Sequence, residues 1–148
     1  MTSIVKRFLV ASFIYLLLGL VVQTVTVLDA WFGFNPFAYT VATATLQILL
    51  VGWLTQAALA LIYDRWLVPP GTAEISAASG PGTGTVTAQG QLVFILFNLG
   101  LPLVIIGRPG LSILGGPWLA IGAVLGALLQ LFAGGIFLRQ AWQLLKRT

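Results

Sequence analysis

Four apolar runs, each long enough to cross a bilayer as a helix, dominate this chain and leave little sequence between them. A hydrocarbon core of about 30 Å takes roughly 20 helical residues to span. Inside it every backbone N–H and C=O must find a partner within the protein. The runs are continuous rather than alternating, which selects helices over strands. The first is expected at about 8–28, behind Lys6 and Arg7. The second is expected at about 36–63, with Asn35 as a cap and Pro36 in the first helical position. The third is expected at about 91–107. The fourth, opened by Gly116-Pro117-Trp118, is expected at about 117–138, with a polar extension to Lys146 and Arg147. The expected fold class is all-α integral membrane: four transmembrane helices, an up-down bundle of two hairpins in a single membrane domain over residues 1–148.

Composition supports the same class. Of the 148 residues, 59% are hydrophobic and 7% are charged, with a mean hydropathy of +1.04. A soluble domain carries about 25% charged residues and could not cover its surface with so few. Residues 67–90, LVPPGTAEISAASGPGTGTVTAQG, are poor in large apolar side chains and read as a flexible cytoplasmic linker between the hairpins. Their glycines do not make a phosphate loop, because no Lys-Ser/Thr follows and no strand precedes them. The first run has no A-x-A-like cleavage site behind it and is read as a retained helix.

Orientation follows from the basic residues. With the N-terminus in the cytoplasm, Lys6, Arg7, Arg65, Arg139, Lys146 and Arg147 lie inside and only Arg108 lies outside. This asymmetry places both termini on the cytoplasmic side, and the expected location is a prokaryotic inner membrane. Trp31, Trp66, Trp118 and Trp142 fall near helix ends, where indoles mark the interfaces. The net charge of +4 thus reports topology. No basic face interleaved with aromatics points to nucleic acid. The expected partners are the lipid bilayer and either other membrane subunits or further copies of the chain.

Reactive side chains are scarce. The sequence has no histidine, no cysteine and one methionine, Met1. Zinc, iron and copper sites draw on those residue types, and of the usual haem ligands only tyrosine remains. Tyr15, Tyr39 and Tyr63 read as packing or interface residues. Ser12, Ser76, Ser79 and Ser112 have no histidine to activate them. The carboxylates Asp29, Asp64 and Glu74 are well separated, and Asp64 beside Arg65 reads as a local ion pair at the membrane surface. No catalytic, cofactor-binding or metal residue is assigned, and no cofactor is expected.

Amides remain inside the membrane. At 1.5 Å per residue, Gln47 lies about 16 Å, Asn98 about 13 Å and Gln130 about 20 Å from the outer helix ends, so the three are candidates for one polar cluster. In the second helix Thr40, Thr43 and Gln47 share one face, and Thr45, Gly52 and Gln56 share another. Such groups bond across helices, or they line a pocket for a quinone, pigment or lipid headgroup. Pro102 deprives the Asn98 carbonyl of its helical donor, so a kink is expected near Gly100. In the fourth helix Gly122, Gly126, Gln130 and Gly134 recur every four residues as a candidate packing stripe. Gly52 is a candidate packing residue of the second helix.

Two stretches, ATLQILLVGW at 44–53 and FNLGLPL at 97–103, carry a family resemblance. They resemble small four-helix membrane proteins related to the catalytic subunit of haem-copper oxidases, nearest the cbb-type and nitric oxide reductase branch. That family reads approximately A-H-A-H-L-N-L-L-G-W and H-N-L-G-L-P at these places. Gly52, Trp53, Asn98, Leu99, Gly100, Leu101 and Pro102 agree with it. Thr45, Gln47 and Phe97 stand where it has histidines. The resemblance extends loosely over the four helices without the linker and implies a scaffold that has lost its metal ligands. The function expected from the sequence is a non-catalytic accessory or structural subunit of a respiratory or photosynthetic electron-transfer complex. The alternative is a small membrane protein that binds a quinone, pigment or other lipophile, or passes a solute, through an amide-lined centre.

Overall fold

The structure, a computed structural model, describes residues 3–33, 38–67 and 83–146. Their regular structure is entirely helical and forms four long helices. These are α1 (Ser3–Phe32), α2 (residues 38–67), α3 (Thr83–Leu114) and α4 (Pro117–Leu145). Each contains a stretch long and apolar enough to cross a membrane. Neighbours in sequence are neighbours in space: α1 packs chiefly on α2, α2 also on α3, and α3 on α4.

The helices overrun the expected boundaries. Segment 83–90, assigned to the linker from its composition, is the start of α3. Propagating a helix adds one hydrogen bond per residue, so an apolar helix readily recruits the polar turns beside it. Here those turns also gain contacts, because Gln89 and Gly90 meet α4 and α2. At its other end α3 continues through Arg108 and Pro109 to Leu114. Gly115, at φ +68°, then ends it and donates its N–H to the Leu111 carbonyl at 3.1 Å. Gly116 completes the turn, and Pro117 opens α4 as expected. Gly33, at φ +66°, ends α1 in the same way, its N–H on the Asp29 carbonyl at 2.7 Å. The Asn35-Pro36 start and most of the linker lie outside the described residues.

Helix α2 is unusual in its winding. Between the α-helical segments Ala38–Gln47 and Gln56–Ile62 it takes π-helical turns over Ile48–Thr55, and it does so again over Tyr63–Leu67. The consequence is one of register. Ala44, Ile48, Gly52, Gln56 and Ala60 are spaced by four and are all buried. In an α-helix each such step overshoots a full turn by about 40°, so the row would rotate off the face. The wider π turns cancel that drift and hold the row against α1 and α3.

The main buried cluster lies at the end where α1 and α3 begin and α2 and α4 finish. It is built from Ile4, Val5, Phe8, Leu59, Ala60, Tyr63, Val93, Phe97 and Ala133. The Phe8 ring stacks on Tyr63 at 5.5 Å and stands edge-on to Phe94 at 5.1 Å. Helix α4 is the most outward of the four: 11% of its spanning stretch is buried, against 39% for α3. Trp31, Trp66, Trp118 and Trp142 are all exposed near helix ends.

Candidate functional site

The polar interior is built in two layers. In the first, the Tyr63 hydroxyl donates to Gln140 Oε1 at 2.6 Å, and Gln140 Nε2 donates to Gln89 Oε1 at 3.0 Å. This chain ties α2, α4 and α3 together. Tyr63 is 0% and Gln140 4% exposed, so their bond is out of water. In the second layer Gln56 Nε2 donates to Asn98 Oδ1 at 3.2 Å, and Asn98 Nδ2 donates to the Phe94 carbonyl at 2.8 Å. The second bond fixes how the first must be read. With Asn98 Nδ2 taken by a carbonyl, Asn98 presents an acceptor, so Gln56 has to present its NH₂.

The three amides named from depth make no hydrogen bond to one another among the described residues. Asn98 bonds Gln56, which lies nine residues beyond Gln47, while Gln47 is half-buried near the start of the π segment. Depth counted over 91–107 rests on too short a third helix: α3 runs on to Leu114, so Asn98 lies 16 residues, about 24 Å, from its outer end, near the level of Gln56, 18 residues beyond Ala38, rather than that of Gln47. Gln130 reaches α3 at Gly100, its Cγ 3.1 Å from where a methyl on that glycine would stand. Among the described residues two buried amide atoms are left without a hydrogen-bond partner, Gln56 Oε1 and Gln130 Nε2, one an acceptor and one a donor. Farther out, Asp29 is buried in α1 and its Oδ1 also lacks a partner among the described residues.

The glycines sort by what they face. Gly100 and Gly126 meet backbone to backbone: a methyl on Gly126 would stand 2.5 Å from the Gly100 carbonyl oxygen, and one on Gly100 would stand 2.6 Å from that of Gly126. Gly52 instead receives a side chain, since a methyl there would stand 2.7 Å from Tyr15 Cγ. Gly122 and Gly134 face open space within this chain, so of the every-fourth-residue stripe on α4 only Gly126 and Gln130 meet α3. The face that packs is Gly126, Gln130, Ala133, Phe137 and Gln140, spaced by four and three. Alternating those steps keeps a row on one side of an α-helix, whereas repeated steps of four rotate away. Helix α3 is unbroken through Pro102, and the Asn98 side chain is satisfied within the bundle by its neighbours.

Of the positions that resemblance aligns with histidines, Thr45 is buried with its hydroxyl on the Val41 carbonyl at 3.3 Å, Phe97 is buried, and Gln47 is half-buried. Among the described residues no three of His, Cys, Asp or Glu converge as a metal site would require. Asp64 and Arg65 are both exposed, and neither forms an ion pair among the described residues. At the water boundary two adjacent charges gain little from holding one geometry. Gln89 and Gln140 went unassigned from sequence, because one sat in the supposed linker and the other beyond the expected end of the fourth helix. The four-three spacing from Gly126 to Gln140 is the signal that reaches the second of them.

An array of amides and one phenol can bind helices to one another and offer hydrogen bonds to a neutral guest. Comparison with protein-family models, with curated proteins and with solved structures finds no match to this chain.

Proposed function

We propose that this chain is a non-catalytic integral membrane subunit, accessory or structural in role, that works within a larger membrane assembly. The observation that carries this reading is the use made of the polar groups between the helices, of which Gln89 is exposed and the others are buried or half-buried. Tyr63, Gln140 and Gln89 on one level, and Gln56 and Asn98 on the next, are engaged with each other across three helices. Interhelical bonds of this kind are worth about 0.6–2 kcal/mol each in a membrane. They are the equipment of a scaffold. The outward position of α4, with Leu128, Leu131, Phe132 and Leu138 exposed, leaves a full helix face for lipid or a neighbouring subunit. The narrower assignment, to a respiratory or photosynthetic electron-transfer complex of a prokaryotic inner membrane with both termini cytoplasmic, is supported by the resemblance at 44–53 and 97–103 and by the basic asymmetry. Native mass spectrometry of the protein released from its own membranes in mild detergent tests the reading. Stoichiometric membrane subunits are expected with it, and a chain that always emerges alone overturns the assignment.

A second reading is favoured by Gln56 Oε1 and Gln130 Nε2, the unpartnered acceptor and donor. A lipophile that both donates and accepts a hydrogen bond, as the two hydroxyls of a reduced quinone or the polar substituents of a pigment can, would complete both. Organic extraction of the purified protein would then release one such molecule per chain, and Gln56→Leu would abolish its retention. Loss of helix association without any released molecule would return the amides to the structural role.

A further inference from the structure

We propose that the end of the bundle where all four helices meet binds the headgroup of an anionic phospholipid, on a collar of cations fixed in place by the buried cluster beneath it. Lys6 and Arg7 lie between the buried residues Val5 and Phe8 of α1. Arg65 follows two residues after Tyr63 in α2, and Arg139 immediately precedes Gln140 in α4. Phe8, Tyr63 and Gln140 form one layer, through the Phe8–Tyr63 stack at 5.5 Å and the Tyr63–Gln140 bond at 2.6 Å. At 1.5 Å per residue, Lys6, Arg7, Arg65 and Arg139 therefore start within about 3 Å of that layer along their helices. Their backbones adjoin a dry cluster while their side chains are exposed.

Among the described residues the surroundings offer these cations no carboxylate partner, which suits a phosphate. All four cations are exposed, and none forms an ion pair among the described residues. Asp64 is the one described carboxylate at this end. Trp66 and Trp142 are 70% and 62% exposed at the same end, and Lys146 Nζ stands 5.7 Å from the Trp142 ring. Exposed indoles settle at the headgroup level, which puts the collar at phosphate depth. Basic groups on and between membrane helices at that depth select anionic headgroups, by about fivefold per cation engaged. A zwitterionic headgroup brings its own ammonium and gains less. The opposite end has no counterpart, since Arg108 is its one described cation. The proposal is independent of which partners surround the bundle and of which side of the membrane the collar faces.

The test uses the full chain in nanodiscs of equal phosphatidylglycerol and phosphatidylcholine, followed by native mass spectrometry of the lipid retained on release. The wild type is expected to keep phosphatidylglycerol over phosphatidylcholine by about tenfold or more. R7Q/R139Q is expected to bring the ratio close to that of the bilayer, R7K/R139K to preserve most of it, and R108Q to leave it unchanged. Equal helicity and recovery of every variant from pure phosphatidylcholine nanodiscs establishes that folding is intact. Four results would each overturn the proposal: a wild-type ratio near one, a ratio that survives R7Q/R139Q, an equal fall in R108Q, or an acidic protein in place of lipid on the collar in native membranes.

Discussion

The two hairpins bring their helices together on glycine in opposite ways. In the α1–α2 hairpin the glycine is a socket: Gly52, on a π-wound turn, takes the root of the Tyr15 side chain. In the α3–α4 hairpin the glycines are a seam, with Gly100 and Gly126 placing carbonyl against Cα on both sides. The difference teaches what a glycine in a membrane helix protects. A socket is bounded by a side chain that has torsions to adjust. A seam is bounded by backbone that has none, and in lipid close packing is a principal source of helix association.

The largest effect should come from filling the seam. Gly126→Ile is expected to cost about 3 kcal/mol or more, or to prevent recovery of the folded protein, while Val124→Ile, at a site 59% exposed, changes stability little. Thermal unfolding in detergent measures both, and equal tolerance would mean that α3 and α4 associate on another face. A single methyl distinguishes the two hairpins more finely. Gly100→Ala is expected to cost about 2 kcal/mol and Gly52→Ala about 1 kcal/mol. In a Tyr15→Ala background the second cost should vanish, because its obstacle has been removed. No side-chain truncation should rescue Gly100→Ala, whose nearest obstacle is the Gly126 carbonyl. A rescue there would erase the distinction.

The clamp that joins the two hairpins gives a third prediction. Tyr63→Phe leaves Gln140 Oε1 without its donor in a buried site and is expected to cost about 1–2 kcal/mol. Adding Gln140→Leu should recover part of that loss, since two apolar groups need no partner. If the double variant is the sum of the singles, the bond is not what couples α2 to α4. The smallest effects belong to Gly122→Ala and Gly134→Ala, where nothing stands within 4 Å. Both should fall within about 0.5 kcal/mol of the wild type. A clear loss of assembly, with folding intact, would identify those glycines as a contact for another chain.

Hydropathy was sufficient for the number and kind of helices, because a bilayer forces every apolar stretch of this length into the same backbone solution. The Gly115-Gly116-Pro117 turn was legible for a related reason: a positive φ and a missing N–H are local demands that only certain residues meet. Asn98 was recognisable as a polar group needing a partner. Its partner was not, since α3 runs on to Leu114 and so sets Asn98 at the level of Gln56 rather than of Gln47. The glycines of α4 show the same divide. Sequence identified small residues on a helix; which of them meet a neighbour depended on the true inward row from Gly126 to Gln140 and on the path of α3 beside it. Local chemistry is written residue by residue, so the chain alone determined how many helices form and where Gly115 to Pro117 turns the chain, while the helices ran past the ends that hydropathy marked. Register between helices is a property of pairs of surfaces, and only the tertiary structure decided it.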